Sequence, residues 1–453
     1  MNENSAAAPV RPNRLPALLC VCLSLLFAVS PSARGYSVLS HEEVVDLTWD
    51  QQIAPLLMAK YPQTTSDQLT KARAYAYGGC IIQDIGYYPF GSHFFSDLLH
   101  YVRTGVFVEN LLRDASDVNE YAFALGAMAH YTADTFGHPA INHATAEEYP
   151  KLRDKFGNVV TYDDSPTAHL QTEFGFDVSE VANHRYLPQQ YHDFIGFQVS
   201  KPVMERAFRD TYGFEVNQIL THEDLAIGSY RRSVSNLIPK MTRVALVDYG
   251  KQMSNAAPGF DRSKFVYRMK RADYEHEWGK EYQTPGTGSR ILAFFLRLMP
   301  RFGPFRVLSL HVPSASSQKL FLDGMATTVQ NYDGYIDDLK TDTPDVRHLD
   351  LPDRDLDTGK LTAEGEYRLT DETYAKLLHQ IELHPQTAIP GLLRSSILDF
   401  YAAGRKNYVQ SSPKAWANVQ TDFALLMQAK VEELKVSDQP TPVQQAPVPL
   451  PAH

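Results

Sequence analysis

The apolar residues between His41 and Gly250 recur mostly at intervals of three and four. Segments such as DVNEYAFALGAMAHYTAD and GSYRRSVSNLIPKMTRVALVDYG show this spacing, and no sustained alternation of apolar and polar residues bounded by turns accompanies it. A period near 3.6 is typical of amphipathic helices, whereas half-buried strands alternate with a period of two. We therefore predict an all-α fold for this part of the chain.

The second half is also predicted to be mainly helical. Two breaker clusters, SNAAPG near Pro258 and TPGTGS at 284–289, bracket a charged helix predicted over 266–282. Further helices are predicted over 317–339, 371–383 and 413–435, with the polar, turn-rich stretch DTPDVRHLDLPDRDLDTGKLT between the first two. We expect a first domain over 36–255, a helical region over 256–435 and a disordered Pro- and Gln-rich tail over 436–453.

One apolar stretch in the second half permits two interpretations. SRILAFFLRLMPRFGPFRVLSLHVP carries four arginines, and Pro300 and Pro304 exclude a single straight helix. It is either a surface element that lies in a lipid interface with its arginines toward phosphate headgroups, or a buried packing element with arginines that extend to solvent. The region 256–435 is accordingly a candidate membrane-docking region.

The N-terminus has the layout of a secretory signal. Arg11 and Arg14 precede an apolar run over 15–29, and small residues precede Tyr36. The run is short for a membrane span, although an uncleaved anchor is the alternative. We expect a signal peptide over 1–35, cleavage before Tyr36, and a secreted or periplasmic protein.

Cysteine content and charge limit the possible functions further. Two of the three cysteines fall in the expected signal, so the mature chain keeps Cys80 alone and has no internal disulfide. The whole chain carries a net charge of −10, and removal of 1–35 makes it −12. Bulk electrostatics therefore disfavours a stable nucleic-acid partner.

The stretch HYTADTFGH places His130, Asp134 and His138 at four-residue steps. Residues four apart lie on one face of a helix, and the surrounding ALGAMAHYTADTF is apolar and small, so unpaired polar groups there would be costly. HLQTEF repeats the imidazole and carboxylate pairing one turn apart with His169 and Glu173. Nitrogen and carboxylate ligands without thiolate suit Zn²⁺ inside a helical bundle, with Mn²⁺ or Fe²⁺ less favoured. Further upstream the candidates are His41, Asp84, His93 and His100.

These residues resemble the zinc-dependent phospholipase C and fungal single-strand nuclease superfamily, and within it the bacterial zinc-dependent phospholipase C family. The resemblance covers about 36–250, and AHYTADTFGHP and HLQTEFGFD are its most specific parts. It implies a phospholipase C/nuclease-like helical bundle that holds about three zinc ions in a cleft.

The resemblance also implies which residues bind each zinc ion. One ion would take the amine and carbonyl of Tyr36 together with His41, five positions on, where the family usually has Trp at the first position. A second would take Asp84, His100, His130 and Asp134, with Asp134 bridging to the first ion and His93 as the alternative to His100. The third would take His138, His169 and Glu173, with His143 as the alternative to His138.

The role of individual carboxylates stays open at this point. The resemblance implies that Asp84 is either a ligand alone or a ligand that also acts as general base toward the attacking water. Candidates for orienting the imidazoles are Asp163, Asp164 and Asp177.

Three functions compete on these observations. The first is a phospholipase C that acts on a phospholipid at a membrane surface and releases diacylglycerol and a phosphorylated headgroup. The second is a nuclease or other phosphodiesterase, which would need stacking aromatics and a basic groove. The third is a zinc-stabilised helical binding protein without activity. Tyr87, Tyr88 and Phe90 are possible stacking or acyl-chain contacts, with core packing as the default.

Overall fold

The computed structural model describes residues 38–182, 197–232, 313–341, 348–385 and 387–432. Within these ranges the chain is all-α, as predicted, with two strands of two residues each. The α-helices are α1 Val38–Thr48, α2 Ala54–Lys60, α3 Ser66–Gly79, α4 His93–Tyr101, α5 Thr104–Asp114, α6 Val118–Glu148, α7 Pro150–Phe156, α8 Pro166–Ala182, α9 Lys201–Tyr212, α10 Val216–Ile219, α11 Glu223–Arg232, α12 Ala315–Thr341, α13 Arg368–Leu383, α14 Gly391–Ala402 and α15 Pro413–Leu426.

Shorter helical turns join some of these elements. A π-helix, Trp49–Ile53, continues α1 into α2, and 3₁₀-helices cover Ile82–Tyr87 and Tyr408–Ser411. Strands β1 Ile389–Pro390 and β2 Val431–Glu432 pair in parallel. No helix in the described ranges is long and apolar enough to cross a bilayer.

The 31-residue helix α6 forms the centre of the bundle. The side chain of Asp117 caps its N-terminus by accepting hydrogen bonds from the N–H groups of Asn119 and Glu120. Most of its residues are buried, because α3, α5, α8 and α12 pack around it. A helix enclosed in this way is apolar on most sides, which accounts for its run of Ala, Gly and Phe.

Helix α6 meets α3 at close range. A Cβ atom added to Gly126 would lie 1.9 Å from the carbonyl oxygen of Ala76, and one added to Gly79 would lie 1.9 Å from that of Phe123. Only glycine therefore permits this approach of the two backbones.

The C-terminal half packs directly on this core. Helix α12 lies along α6, and the hydroxyl of Tyr332 donates to the carbonyl oxygen of Leu125 at 2.9 Å. The residues 349–367, called the 349–367 segment below, have no α-helix and lie against α4, α5 and α6. The hydroxyl of Tyr131 donates to Pro352 O at 2.6 Å, and Thr104 Oγ1 donates to Arg354 O at 2.9 Å.

Helices α12 and α13 fall where the sequence predicts them. The helix predicted over 413–435 is shorter, since α15 ends at Leu426 and Val431 instead pairs with Ile389 in the small sheet. The predicted signal over 1–35, Tyr36, the charged helix over 266–282, the arginine-rich element at 290–312 and the tail over 436–453 lie outside the described residues.

Candidate metal centre

Eight of the predicted ligand residues lie together in the interior of the bundle, each no more than 3% exposed. They come from α1, the 3₁₀-helix Ile82–Tyr87, α4, α6 and α8. The eight residues are His41, Asp84, His100, His130, Asp134, His138, His169 and Glu173.

Asp134 lies in the middle of this cluster. Its Oδ1 atom is 3.5 Å from Nε2 of His41 and 3.5 Å from Nε2 of His138. Its Oδ2 atom is 3.1 Å from Nε2 of His130 and 3.6 Å from Nε2 of His100. A single carboxylate therefore faces four imidazoles, which is the arrangement required of a bridging ligand.

Two further carboxylates lie at either end of the cluster. Asp84 Oδ1 is 3.3 Å from His100 Nε2, and Glu173 Oε1 is 2.8 Å from His169 Nε2 and 3.5 Å from His138 Nε2. The cluster contains three sets of ligands, and within each set the ligand atoms lie within 4.8 Å of one another. They are His41, His130 and Asp134; Asp84, His100 and His130; and His138, His169 and Glu173.

Main-chain carbonyl groups orient three of the imidazoles. Nδ1 of His100 donates to Ser96 O at 2.8 Å, Nδ1 of His130 donates to Cys80 O at 2.9 Å, and Nδ1 of His138 donates to Leu356 O at 2.6 Å. A carbonyl oxygen can only accept, so Nδ1 carries the proton in each ring. The neutral ring then presents an Nε2 lone pair toward the carboxylates.

The chemistry of these donors fits divalent zinc. The Nε2 atoms of His100, His130 and His169 are buried without a hydrogen bond, as are Oδ1 of Asp84 and Oε1 of Glu173. A lone pair that faces a carboxylate oxygen without a proton is repulsive unless a cation lies between them. Ligand atoms ~2.0–2.1 Å from a tetrahedral zinc lie about 3.4 Å from one another, close to most of the separations given above.

The pKa values of these groups reflect burial and mutual attraction. Burial acts to raise the pKa of Asp134, but attraction to His138, His130 and His41, whose rings become positive when they take up a second proton in the absence of metal, outweighs it and holds that pKa well below its usual range. Burial raises the pKa of Glu173 to about 8 and lowers the pKa of His169 to about 4. Groups shifted in opposite directions within one cluster are typical of a functional site rather than of a solvated surface.

The two alternative histidines lie outside the cluster. His93, at the start of α4, is exposed and its ring contacts the edge of Tyr87. His143 is exposed on α6, where Nδ1 donates to Asn158 O at 2.9 Å. The alternatives were His93 or His100 and His138 or His143. The structure places His100 and His138 among the other candidate ligands.

The carboxylates suggested as orienting groups have other contacts. Asp163 pairs with Arg368, and Asp164 accepts hydrogen bonds from the N–H and hydroxyl of Thr161. Asp177 accepts from the N–H of Leu39 and the hydroxyl of Ser40, and so holds the start of α1 beside His41.

The three aromatic residues near Asp84 differ in exposure. Tyr87 is buried, and its hydroxyl donates to Asp97 at 3.3 Å. Tyr88 packs edge-on against Tyr230, with ring centroids 4.3 Å apart. Phe90 is 63% exposed and has a φ of 67°, which is uncommon for a bulky residue. Core packing thus accounts for Tyr87, whereas Phe90 is available for contact with a ligand.

A further possible metal group was not predicted from the sequence. His379 and Glu382 on α13 and Asp422 on α15 place ligand atoms within 4.8 Å of one another, and His379 Nδ1 is 3.4 Å from Asp422 Oδ2. The i, i+3 spacing of the first two was the available signal. The group is partly exposed, unlike the central cluster.

The fold and the site together define an all-α protein with buried histidine and carboxylate clusters compatible with zinc. The model of the family described as zinc dependent phospholipase C matches residues 40–217, which confirms the resemblance seen in the sequence. The chain therefore carries a zinc-dependent phospholipase C family domain, and all eight clustered residues lie within it. No curated protein and no solved structure matches the chain.

Proposed function

We propose that this protein is a zinc-dependent phosphodiesterase, and specifically a phospholipase C that cleaves a phospholipid to diacylglycerol and a phosphorylated headgroup. The observation that supports it most directly is the position of Asp134, whose two oxygen atoms face four buried imidazoles inside the family-matched region. A structural zinc site needs one closed ligand shell, whereas three adjacent ligand sets support catalysis.

Each ligand set would hold one of about three zinc ions. His130 takes part in two of the sets, and Asp134 joins them to His138. The amine and carbonyl of Tyr36 would complete the set that contains His41 if the mature chain begins there. Secretion to the exterior or the periplasm is part of the proposal, on the basis of the N-terminal pattern.

The residues of the centre would prepare the reaction by charge and orientation. Zinc ions supply Lewis acidity, lower the pKa of bound water and stabilise negative charge on the phosphate. The carbonyl groups of Ser96, Cys80 and Leu356 keep the imidazoles oriented with Nε2 toward the centre. We assign to Asp84, whose Oδ1 makes no hydrogen bond, the role of a ligand that also takes the proton of the attacking water.

Hydrolysis of nucleic acid by the same centre is the alternative activity. The net charge of −10 disfavours stable association with a polyanion. Phe90 is exposed and lies three residues after the end of the 3₁₀-helix Ile82–Tyr87, which contains Asp84. Its side chain could contact an apolar substrate at least as well as it could stack on a base.

The test combines metal analysis with two substrates. Secreted protein would be sequenced at its N-terminus, its zinc content measured per chain, and its activity assayed on phosphatidylcholine vesicles and on single-stranded DNA. About three zinc ions and lipid turnover support the proposal. Zinc with DNA turnover alone would show a nuclease, and zinc without either activity would contradict both hydrolase assignments for these substrates.

A further inference from the structure

The 349–367 segment reaches two of the proposed ligands through one residue. The N–H of Leu356 donates to the carbonyl oxygen of His100 at 3.0 Å, and the carbonyl oxygen of Leu356 accepts from Nδ1 of His138 at 2.6 Å. Both histidines belong to the family-matched region 40–217, whereas Leu356 lies far beyond its end. A part of the chain outside the family match thus takes part in orienting the centre.

The next residue brings a buried carboxylate to the same place. Asp357 is 1% exposed, and its Oδ2 atom accepts hydrogen bonds from the hydroxyls of Tyr101 at 2.9 Å and Tyr367 at 2.6 Å. Its main-chain oxygen accepts from Nδ2 of Asn142 at 2.8 Å, while its Oδ1 atom is buried without a hydrogen bond. The position of this carboxylate is therefore fixed, and one oxygen is left for an electrostatic role.

The contacts of Asp357 lead to groups beside two proposed ligands. Tyr101, which donates to its carboxylate, follows His100 in the chain, and Asn142, which donates to its main-chain oxygen, lies one helical turn after His138 on α6. A negative charge fixed in the dry interior of the bundle stabilises positive charge close to it.

Glycine at position 359 permits the segment to lie this close to α6. Gly359 has a φ of +70°, and a Cβ atom there would lie 2.2 Å from the carbonyl oxygen of Thr135, the residue after Asp134. Nη1 of Arg354 donates to the carbonyl oxygen of Gly359 at 2.7 Å and holds the turn. A side chain at this position would push the segment away from the centre.

We propose that Leu356 and Asp357 are positioning residues of the zinc centre. Leu356 fixes the ring of His138 with Nε2 toward the metal, and Asp357, the next residue, provides a buried, non-coordinating negative charge at the same place. The proposal rests on the proposed zinc centre, and it means that the centre is complete only when the C-terminal half of the chain is docked.

Two general properties of metal sites support this assignment. A histidine that binds a metal almost always donates its other ring N–H to a carbonyl, carboxylate or water, and loss of that partner weakens metal binding. The carboxylates of Asp84, Asp134 and Glu173 supply three negative charges, about half of what three divalent ions carry, so a further buried anion stabilises the loaded state.

The first test replaces the charge while keeping the shape of the side chain. Asp357→Asn in the full-length protein is compared with Asp353→Asn, whose carboxylate lies in the same segment but accepts from the N–H groups of Gly105 and Val106 at the start of α5. We expect Asp357→Asn to weaken zinc binding about 10- to 100-fold and to alter the visible spectrum of the cobalt-loaded protein. Asp353→Asn should leave both unchanged.

The second test displaces the segment from α6. Gly359→Ala is compared with Gly404→Ala, since Gly404 also has a positive φ of +60° but no atom within 4 Å of an added Cβ. In both variants the alanine must adopt a left-handed backbone conformation, which is strained. Gly359→Ala alone should lose zinc affinity and change the cobalt spectrum. If Gly359→Ala does not fold, Asp357→Asn still decides the question.

The readouts separate positioning from simple stability. Zinc affinity is measured by competition with a chromophoric chelator, and thermal unfolding is followed on the metal-free proteins. This inference would be overturned if Asp357→Asn and Gly359→Ala lowered the unfolding temperature but left zinc affinity and the cobalt spectrum as in the wild type. A wild-type protein that binds no zinc would instead overturn the proposed function.

Discussion

Nε2 of His130 lies 3.1 Å from Oδ2 of Asp134, one helical turn along α6, with both side chains fully buried. Because the two residues share one rigid helix, their ligand atoms are held in place before any metal arrives. Asp134 additionally faces His41, His100 and His138, so its loss would affect more than one ligand set.

Asp134→Asn and His130→Ala should each remove zinc and abolish hydrolysis. Loss of an orienting partner weakens metal binding about 10- to 100-fold, and loss of a ligand should exceed that. The unfolding temperature in the presence of zinc should also fall, because binding energy at such a site is folding energy. Zinc content after dialysis, activity and thermal unfolding are the measurements, and full activity in either variant would refute the ligand assignment.

The exposed histidines provide matched comparisons for the ligand assignment. His100→Ala should lose zinc and activity while His93→Ala, in the same helix, should keep both. His138→Ala and His143→Ala should differ in the same way within α6. An inactive His93→Ala or His143→Ala variant that folds normally and has lost zinc would show that the ligand sets are drawn incorrectly.

The sequence predicts those parts of the centre that one helix supplies. His130, Asp134 and His138 form a row because residues four apart share a helix face, and the same applies to His169 and Glu173. Periodicity does not separate His93 from His100, since seven residues are two turns and place both on one face, about 10 Å apart along the axis. The packing of α4 against its neighbours determines which of them is buried.

The contribution of the 349–367 segment has no such signature. Leu356 acts through its main-chain N–H and carbonyl groups, which every residue except proline has, so no residue type marks the position. The sequence of this stretch indicates a polar, turn-rich connection, in which aspartates are common. Only the tertiary fold shows that Asp357 is buried rather than solvated.

Phe90 is expected to contact lipid if the substrate is a membrane phospholipid. Phe90→Ala should bind vesicles about 10- to 150-fold more weakly, since burial of a phenylalanine side chain is worth about 1.5–3 kcal/mol. Hydrolysis of a short-chain soluble substrate should be unchanged, because Phe90 is exposed and holds no ligand in place. Leu392→Ala on α14, with a side chain 64% exposed, is the control. Equal losses on vesicles and on the soluble substrate would refute a role in lipid contact.

Gly126→Ala should destabilise the bundle strongly. The added Cβ would lie 1.9 Å from Ala76 O, a main-chain atom, so α3 and α6 must separate. Overpacking of this kind costs about 1–3 kcal/mol or more. Gly228→Ala in α11 is the matched control, since an added Cβ meets nothing within 4 Å and should raise the free energy of unfolding by about 0.4–1 kcal/mol. Denaturant unfolding of both variants measures the difference, and a neutral Gly126→Ala would contradict the described helix contact.

The buried carboxylate of Asp371, at the start of α13, should make stability depend on pH. Burial raises its pKa to about 6, although the N–H groups of Gly365 and Tyr408 donate to it and oppose the shift. The usual pKa in an unfolded chain is about 3.9, so the folded protein binds this proton more tightly. The resulting stabilisation is fully present below about pH 4 and is lost as the pH rises through 6. The quantity to measure is the free energy of unfolding of the metal-free wild type minus that of Asp371→Asn. This difference should increase when the pH is lowered from 7.5 to 5. A difference that does not vary with pH would contradict the assignment.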